Sequence, residues 1–290
     1  MGIFSLFGKS SNLYFPGCMT YFKYPDIFEL YKKIFTKLGI GFKISDKQIC
    51  CGLPALEAGY EQTARKLVRR NFEIFKEQRI KSIITNSPEA YKMFLEESPD
   101  MLPDWDIGVR NLWEIILDKL KSKSRLIKNK ALEIVTYHDS CYLGRYCDIY
   151  DEPRRILELI GYEIREMSDS KSEAICCGSC GGLPRTNSGL ADEVAKQRIL
   201  QAKRIGVKKI IVASVENYDL LKKNSKDSDI EILELSQVLA IALGIKKKEP
   251  EIVEEEISGE EQIILDVEAN ERIREELKDE EDEEVEDWEK

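Results

Sequence analysis

Short apolar runs alternate with amphipathic stretches along most of this 290-residue chain. Residues 12–16 predict a buried strand, and residues 26–38 predict a helix because their apolar positions recur every three or four residues. Further strands are predicted at 41–44, 82–86 and 107–109, and further helices at 61–79 and 112–120. Strands that alternate with helices in this way predict a parallel sheet covered by helices.

The order of elements starts again after residues 121–130, a stretch rich in lysine and serine that is predicted to be a linker. The second series comprises strands at 132–137, 162–165, 209–213 and 230–233, and helices at 153–160, 191–205, 214–221 and 238–243. The cysteines recur with it: Cys18 as Cys141, and Cys50-Cys51-Gly52 as Cys176-Cys177-Gly178. Such self-similarity is the signature of a repeat. We therefore expect an α/β fold of two homologous modules, residues 11–120 and 131–248, related by a pseudo-twofold.

Charge is distributed unevenly between this repeated body and the end of the chain. Residues 249–290 hold 21 acidic and 4 basic residues, a net charge of −17, whereas the whole chain carries −10. Such a composition predicts an acidic and largely disordered tail, and docking of a partner or of the body's own surface is the alternative. The body has a net charge of +7 that is spread out, so no nucleic-acid partner is expected.

Targeting signals are not evident in the sequence. The N-terminal arm, residues 1–10, lacks the pattern of a secretory signal and is interpreted as a frayed terminus, with a peripheral apolar contact to a membrane or a partner as the alternative. No apolar run of about 18 residues is found, so no transmembrane segment is predicted. A cytoplasmic location is expected, where eight cysteines favour metal ligands or redox thiols over structural disulfides.

The cysteines follow predicted strands or lie in glycine-containing loops. Cys18 and Cys141 come shortly after the first strand of each half. Ligands of open α/β sheets gather at the carboxyl ends of the strands, so each half is expected to bring its cysteines to one edge of its sheet. Adjacent cysteines such as Cys176 and Cys177 form a disulfide with each other only under strain, but they can reach one metal centre from different directions.

These motifs and their spacing resemble the tandem cysteine-rich (CCG) domains of heterodisulfide reductase catalytic subunits. Similar domains occur in the iron–sulfur subunits of glycolate, lactate and glycerol-3-phosphate oxidising complexes. Cys18 and Cys50 are separated by 31 residues, and Cys141 and Cys176 by 34. The stretch Phe15-Pro-Gly-Cys18 is similar to the first-domain signature, and Tyr137-His-Asp-Ser-Cys141 is similar to the second. The resemblance covers roughly residues 11–245.

The resemblance implies five cysteines per complete domain, which together hold a [4Fe-4S] cluster. The last two come from a Cys-x-x-Cys after the third strand, and there this sequence departs from the pattern in both halves. Ser87 and Ala90 occupy these positions in the first half, and Ser214 and Asn217 occupy them in the second. Neutral hydroxyl and amide groups are weak ligands for iron, and alanine offers none.

The remaining cysteines divide unequally between the halves. The first half keeps three candidate ligands, which predict either a second cluster with an open coordination position or an empty vestige: Cys18, Cys50 and Cys51. The second half has five candidate ligands: Cys141, Cys147, Cys176, Cys177 and Cys180. We expect a [4Fe-4S] type of cluster there, with Cys147 and Cys180 in place of the lost pair.

Cys177-Gly-Ser-Cys180 is itself a Cys-x-x-Cys and leaves other interpretations open. Together with Cys141 and Cys147 it offers the ligands of a structural four-thiolate zinc site. A redox dithiol is a further alternative, although Gly181 and the residues after it do not open a helix directly as thioredoxin-type motifs do. Inert cysteines are the last alternative.

Four other side chains accompany the second cysteine group. His138 is interpreted as a hydrogen-bond or proton donor to a cluster, or as a loop histidine that fixes a turn. Arg145, Arg154 and Arg155 could recognise an anionic group, with a solvated helix face as the alternative.

The resemblance implies an iron–sulfur subunit of an oxidoreductase complex, similar to heterodisulfide reductase, which passes electrons to or from a partner through the cluster of the second half. The sequence contains neither a clustered ferredoxin motif nor a dinucleotide fingerprint. A ferredoxin-type subunit or a flavoprotein is therefore the expected partner. Because both late Cys-x-x-Cys pairs are missing, electron transfer is favoured over disulfide cleavage. The alternative function is a non-enzymatic assembly scaffold that binds zinc or no metal.

Overall fold

Two parallel β-sheets form the framework of residues 10–245, the part of the chain that the computed structural model describes. The first sheet has the order β1-β2-β3, with strands β1 (Asn12–Phe15), β2 (Ser82–Thr85) and β3 (Gly108–Arg110). The second has the order β5-β4-β6-β7, with strands β4 (Ile134–His138), β5 (Glu163–Ile164), β6 (Lys209–Val212) and β7 (Glu231–Glu234). The alternation with helices confirms the predicted α/β fold.

Helices connect the strands in both halves. Those of the first half are α1 (Pro25–Leu38), α2 (Leu53–Glu57), α3 (Glu61–Glu77), α4 (Pro88–Lys92), α5 (Ser98–Met101) and α6 (Leu112–Ser122). Those of the second half are α7 (Asp151–Leu159), α8 (Leu183–Thr186), α9 (Ser188–Arg204), α10 (Val215–Asn224) and α11 (Leu235–Ala242). Within residues 10–245, no helix is both long enough and apolar enough to cross a membrane.

The predicted strand at 41–44 is reduced to a single bridge between Leu13 and Lys43. Lys43 N–H donates to the Asn12 carbonyl oxygen at 2.7 Å, and Tyr14 N–H donates to the Lys43 carbonyl oxygen at 2.8 Å. The equivalent strand of the second half, β5, has only two residues. These two edge strands are thus short, which limits the unpaired backbone at that edge of each sheet.

One large apolar core spans both halves, and a second cluster of buried residues belongs mainly to the first half. Helix α1 packs against α11, and α6 packs against α7, so each half buries the helix after its first strand against the last helix of the other. Tyr31 of α1 and Trp113 of α6 lie in the same core as Leu239 of α11. These reciprocal contacts are those that a pseudo-twofold relation predicts. The division at residues 121–130 stays a prediction, because both halves belong to one compact unit.

The carboxyl ends of β1 and β4 lead into the two candidate sites. Cys18 is followed by a π-helical turn at Met19–Lys23, and Cys141 by an equivalent turn at Tyr142–Tyr146. Gly17 adopts a φ of 80°, and a Cβ there would meet the Ser87 Cβ at 2.6 Å, so the approach to Cys18 requires glycine. The predicted acidic tail and most of the predicted N-terminal arm lie outside the described residues.

Candidate metal centre

Three cysteines of the second half converge after β4. The Sγ atoms of Cys141, Cys176 and Cys180 all lie within 4.8 Å of one another. Cys141 is buried, and the other two are half-buried, which leaves the group accessible from solvent. Thiolates that lie this close suit an iron–sulfur cluster or a soft metal ion.

A local insertion supplies Cys180. Helix α2 begins directly after Gly52 with Leu53-Pro54, whereas residues 179–182 intervene between Gly178 and the Leu183-Pro184 that opens α8. The Gly178 φ is 94°, and a Cβ there would meet the Ala191 carbonyl oxygen at 2.8 Å. The loop is therefore held against α9 before it turns outward to place Cys180. Aligning the two Leu-Pro pairs would have revealed this insertion in the sequence.

Hydrogen bonds stabilise negative charge on these sulfurs. Arg145 donates from Nη2 to Cys141 Sγ at 3.0 Å, and Gly178 N–H donates to Cys176 Sγ at 3.3 Å. Hydrogen bonds from the thiols of Cys141, Cys177 and Cys180 hold the pKa of Cys176 well below its usual range. The hydrogen bond to Cys176 raises the pKa of Cys141 to about 11. The first negative charge of the group therefore forms on Cys176.

Cys177 lies behind Cys176, in the apolar core and outside the set of three mutually close sulfurs. Its sulfur is fully buried and accepts a hydrogen bond from Asn217 Nδ2 at 3.3 Å. The hydrogen bond to Cys176, followed by burial, raises the pKa of Cys177 well above its usual range. Cys177 is thus a protonated thiol directly behind Cys176.

Cys147 lies outside the group of three sulfurs. It ends the π-helical turn at Tyr142–Tyr146, half-buried in the field of Glu96 and Lys92. Burial raises the pKa of the Cys147 thiol to about 12. Its expected replacement of a lost ligand stays a prediction that the geometry does not favour.

The three cysteines of the first half are linked by hydrogen bonds through Cys50. Cys50 accepts hydrogen bonds from the thiols of Cys18 and Cys51, and these lower the pKa of Cys50 to about 3. Cys18 is exposed, whereas Cys51 is buried. Among residues 10–245, only Cys141, Cys176 and Cys180 form a set in which every pair of ligand atoms is that close.

Asn71 holds the cysteine loop of the first half in place. This fully buried residue of α3 accepts from Ile49 N–H at 3.3 Å and donates to the Cys50 carbonyl oxygen at 2.9 Å. Sequence analysis did not identify Asn71, because a lone asparagine on a helix carries no motif.

Comparison with known families identifies this arrangement. The model of the cysteine-rich domain named CCG matches residues 12–94 and 135–216. The chain belongs to this family. Its two CCG modules each contain one of the cysteine groups described above.

Relatives of this CCG protein include much longer chains. It is 31% identical over 216 residues to EtfAB:quinone oxidoreductase of Syntrophomonas wolfei, which covers 73% of this chain and 29% of that protein. It is 34% identical to the "Probable iron-sulfur-binding oxidoreductase FadF" of Bacillus subtilis, over 53% of this chain and 22% of that one. It is 26% identical to a subunit of the dihydromethanophenazine:CoB--CoM heterodisulfide reductase of Methanosarcina mazei, over 83% of this chain and 61% of that one. The chain therefore spans less than two thirds of the length of each.

The serines of both CCG modules that stand at expected cysteine positions are helix caps. Ser87 Oγ accepts from Ala90 N–H, and Ser214 Oγ accepts from Asn217 N–H, each at 3.3 Å. Such caps satisfy backbone donors at the start of α4 and α10. These positions therefore stabilise the helices in this chain.

Arg154 is a buried ion-pair residue of the second CCG module. It donates to both carboxylate oxygens of Asp139, at 2.6 and 2.8 Å, and to Glu166 at 2.5 and 3.0 Å. Both interpretations from the sequence, an anion-binding side chain and a solvated helix face, are wrong for this residue. Asp139 lies two residues before Cys141, so the pair fixes the backbone that leads to that cysteine.

His138 is the buried last residue of β4 and pairs in register with Val212 of β6. The interpretation as a loop histidine that fixes a turn is therefore wrong. Its Nδ1 accepts a hydrogen bond from Nε of the buried Arg198 at 3.0 Å. Sequence analysis missed Arg198, which lies on α9, 60 residues away along the chain.

Proposed function

We propose that this chain is the iron–sulfur subunit of an oxidoreductase complex, similar to heterodisulfide reductase. In this proposal it passes electrons to or from a partner subunit through a [4Fe-4S] cluster of the second CCG module. The observation that carries the proposal is the mutual approach of Cys141, Cys176 and Cys180 within 4.8 Å. The similarity to FadF and to the heterodisulfide reductase subunit supports it.

The residues present fit such a cluster. Protein iron–sulfur clusters are bound by cysteine thiolates, and hydrogen bonds to their sulfurs tune the reduction potential. Cys141, Cys176 and Cys180 would hold the cluster, and Arg145 and Gly178 N–H would keep donating to two of those sulfurs. When bound, the cluster supplies one-electron transfer.

The alternative zinc site is less well supported. A four-thiolate site that includes both Cys147 and Cys177 would need both sulfurs at the group. Cys177 faces the core, and Cys147 lies outside the set of mutually close sulfurs. The proposed partner is a ferredoxin-type or flavin-containing subunit, since the described residues contain neither a ferredoxin motif nor a nucleotide fingerprint.

Metal analysis of anaerobically purified protein tests the proposal. We expect iron and acid-labile sulfide near a four-to-four ratio per chain and an EPR signal on reduction. A higher iron content that falls on Cys18→Ser substitution would show a second cluster in the first CCG module. Zinc without iron, or no metal, would overturn the proposal in favour of the assembly scaffold.

A further inference from the structure

Arg198 is a buried cation that forms no ion pair with any of residues 10–245. It is 1% exposed and donates to uncharged acceptors: His138 Nδ1 at 3.0 Å, the Asp169 carbonyl oxygen at 2.8 Å and Gln201 Oε1 at 2.6 Å. Its Nη2 has no hydrogen-bond partner among these residues. A buried charge that lacks a partner is strongly unfavourable, so a negative group near Arg198 Nη2 would stabilise the site.

The carboxylates around Arg198 accept hydrogen bonds from other residues. Asp139 and Glu166 pair with Arg154, and the Asp169 carboxylate accepts from Gln201 Nε2 at 2.8 Å. All three act on Arg198 only through space. Within residues 10–245, no carboxylate therefore forms an ion pair with Arg198 or accepts a hydrogen bond from it, and its Nη2 stays open to a further negative group.

His138 is fixed as a hydrogen-bond donor. Because Nδ1 accepts from Arg198, the single proton of the neutral imidazole is on Nε2. Burial, followed by the positive charge of Arg198, lowers the pKa of His138 to about 3 and keeps the ring neutral. The Nε2 atom is buried and has no partner within residues 10–245. A second donor is thus left without an acceptor, at the end of the strand that leads to Cys141.

The first CCG module carries neither of these groups at the equivalent positions. Phe15 ends β1 as His138 ends β4, three residues before the first cysteine in each case. Asn71 corresponds to Arg198: each lies seven residues after an alanine, Ala64 or Ala191, whose carbonyl oxygen adjoins the glycine of the CCG loop. Asn71 is satisfied by its own loop. Among residues 10–245, the pair of unpartnered buried donors, Arg198 Nη2 and His138 Nε2, is therefore specific to the second module.

We infer that Arg198 is the fixed counter-charge of an anionic cluster in the second CCG module, and that it holds His138 as a hydrogen-bond donor to the sulfurs. The inference rests on the proposed function. A positive charge beside a cluster favours the reduced, more negative form. Arg198 is thus a positioning and electrostatic residue that raises the reduction potential of the cluster in the second module.

A redox titration of the iron-loaded full chain, followed by EPR, tests this inference. Arg198→Asn and His138→Phe introduce the residues of the first module. We expect Arg198→Asn to lower the equilibrium constant for one-electron reduction at least about tenfold, which is about 59 mV. His138→Phe should lower it less, because it removes a donor but no charge. Arg204→Asn, an exposed change on the same helix, should leave the potential unchanged.

A second pair of variants tests the charge without removing the buried arginine. Gln201→Glu places a carboxylate at the Arg198 guanidinium, and Gln197→Glu makes the same change on the exposed side of α9. Only Gln201→Glu should lower the reduction potential. If Arg198→Asn does not fold, this second pair alone tests the effect of the Arg198 charge. If Arg198→Asn had the same potential as Arg204→Asn, and Gln201→Glu the same potential as Gln197→Glu, the inference alone would be overturned. Wild-type protein without iron and sulfide would overturn the proposed function.

Discussion

The side-chain amide of Asn217 donates to the sulfur of Cys177 at 3.3 Å and to Ser179 Oγ at 2.7 Å. One buried amide thereby connects the core-facing cysteine to the inserted residues that carry Cys180. Asn217 stands where the family resemblance implies a cysteine ligand. In this chain the position therefore shapes the loop that supplies a different cysteine.

Removing this amide should loosen the loop. We expect Asn217→Ala to lower the free energy of unfolding by about 1–3 kcal/mol, because it leaves buried groups without their donor. It should also reduce the iron bound per chain. Urea denaturation and iron analysis measure the two effects. Asn224 lies on the same helix as Asn217, and its side-chain amide donates to Asp192. Asn224→Ala should therefore lower stability without loss of iron. Equal iron loss in both variants would contradict the role of Asn217.

Cys180 and Cys147 should differ sharply as ligands. Cys180→Ser removes one of the three converging sulfurs, so we expect it to lose more than about half of the bound iron and to change the EPR signal. Cys147→Ser removes a thiol that lies outside this group, and we expect wild-type iron content. If Cys147→Ser lost iron to the same extent, the five-cysteine ligand set predicted from the sequence would be restored.

The sequence predicted regular elements well, because periodicity reports local structure. The helix expected at 26–38 is Pro25–Leu38, and the strand expected at 209–213 is Lys209–Val212. The π-helical turn at Met19–Lys23 was not predicted, since one turn has no periodicity. The strand expected at 41–44 was also wrong in extent, because pairing with β1 stops after one residue.

Only those residues of the candidate site that belong to a sequence motif could be predicted. The repeat predicted that Cys141 and Cys176 lie close together, and their sulfurs are within 4.8 Å of each other. Cys147 was predicted to join them because it is close to Cys141 along the chain. The π-helical turn after Cys141 places it outside the group of three sulfurs. Asn71 and Arg198 act from helices that follow the loops, and contact across such a distance leaves no local pattern.

Two adjacent arginines on α7 allow a matched test of the ion pair beside the site. Arg154 is buried against Asp139 and Glu166, whereas Arg155 is exposed. Arg154→Met should lower the free energy of unfolding by about 3–5 kcal/mol, because it leaves the buried Asp139 carboxylate without its partner. Arg155→Met should change it by no more than about 0.5 kcal/mol. Chemical denaturation measures both, and similar values for the two would show that the pair does not stabilise the fold.

Glu234, 1% exposed at the start of α11, should make stability depend on pH. Burial raises its pKa from 4.5 to about 7, against the hydrogen bonds from Ser236 and Tyr31, which lower it. The folded state therefore binds more protons than the unfolded state between these values, and this contribution to stability falls as pH rises from about 4.5 to about 7.

Substitution isolates this effect from other titrating groups. Glu234→Gln removes the titration, so the wild-type protein should lose about 1–3 kcal/mol relative to this variant between about pH 5 and pH 7. Glu231→Gln, at an exposed position of the same strand, should follow the wild type. Urea denaturation at several pH values measures the difference. Parallel curves for wild type and Glu234→Gln would mean that the carboxyl is ionised at its ordinary pKa, and hence that the core around Tyr31 admits the charge without cost.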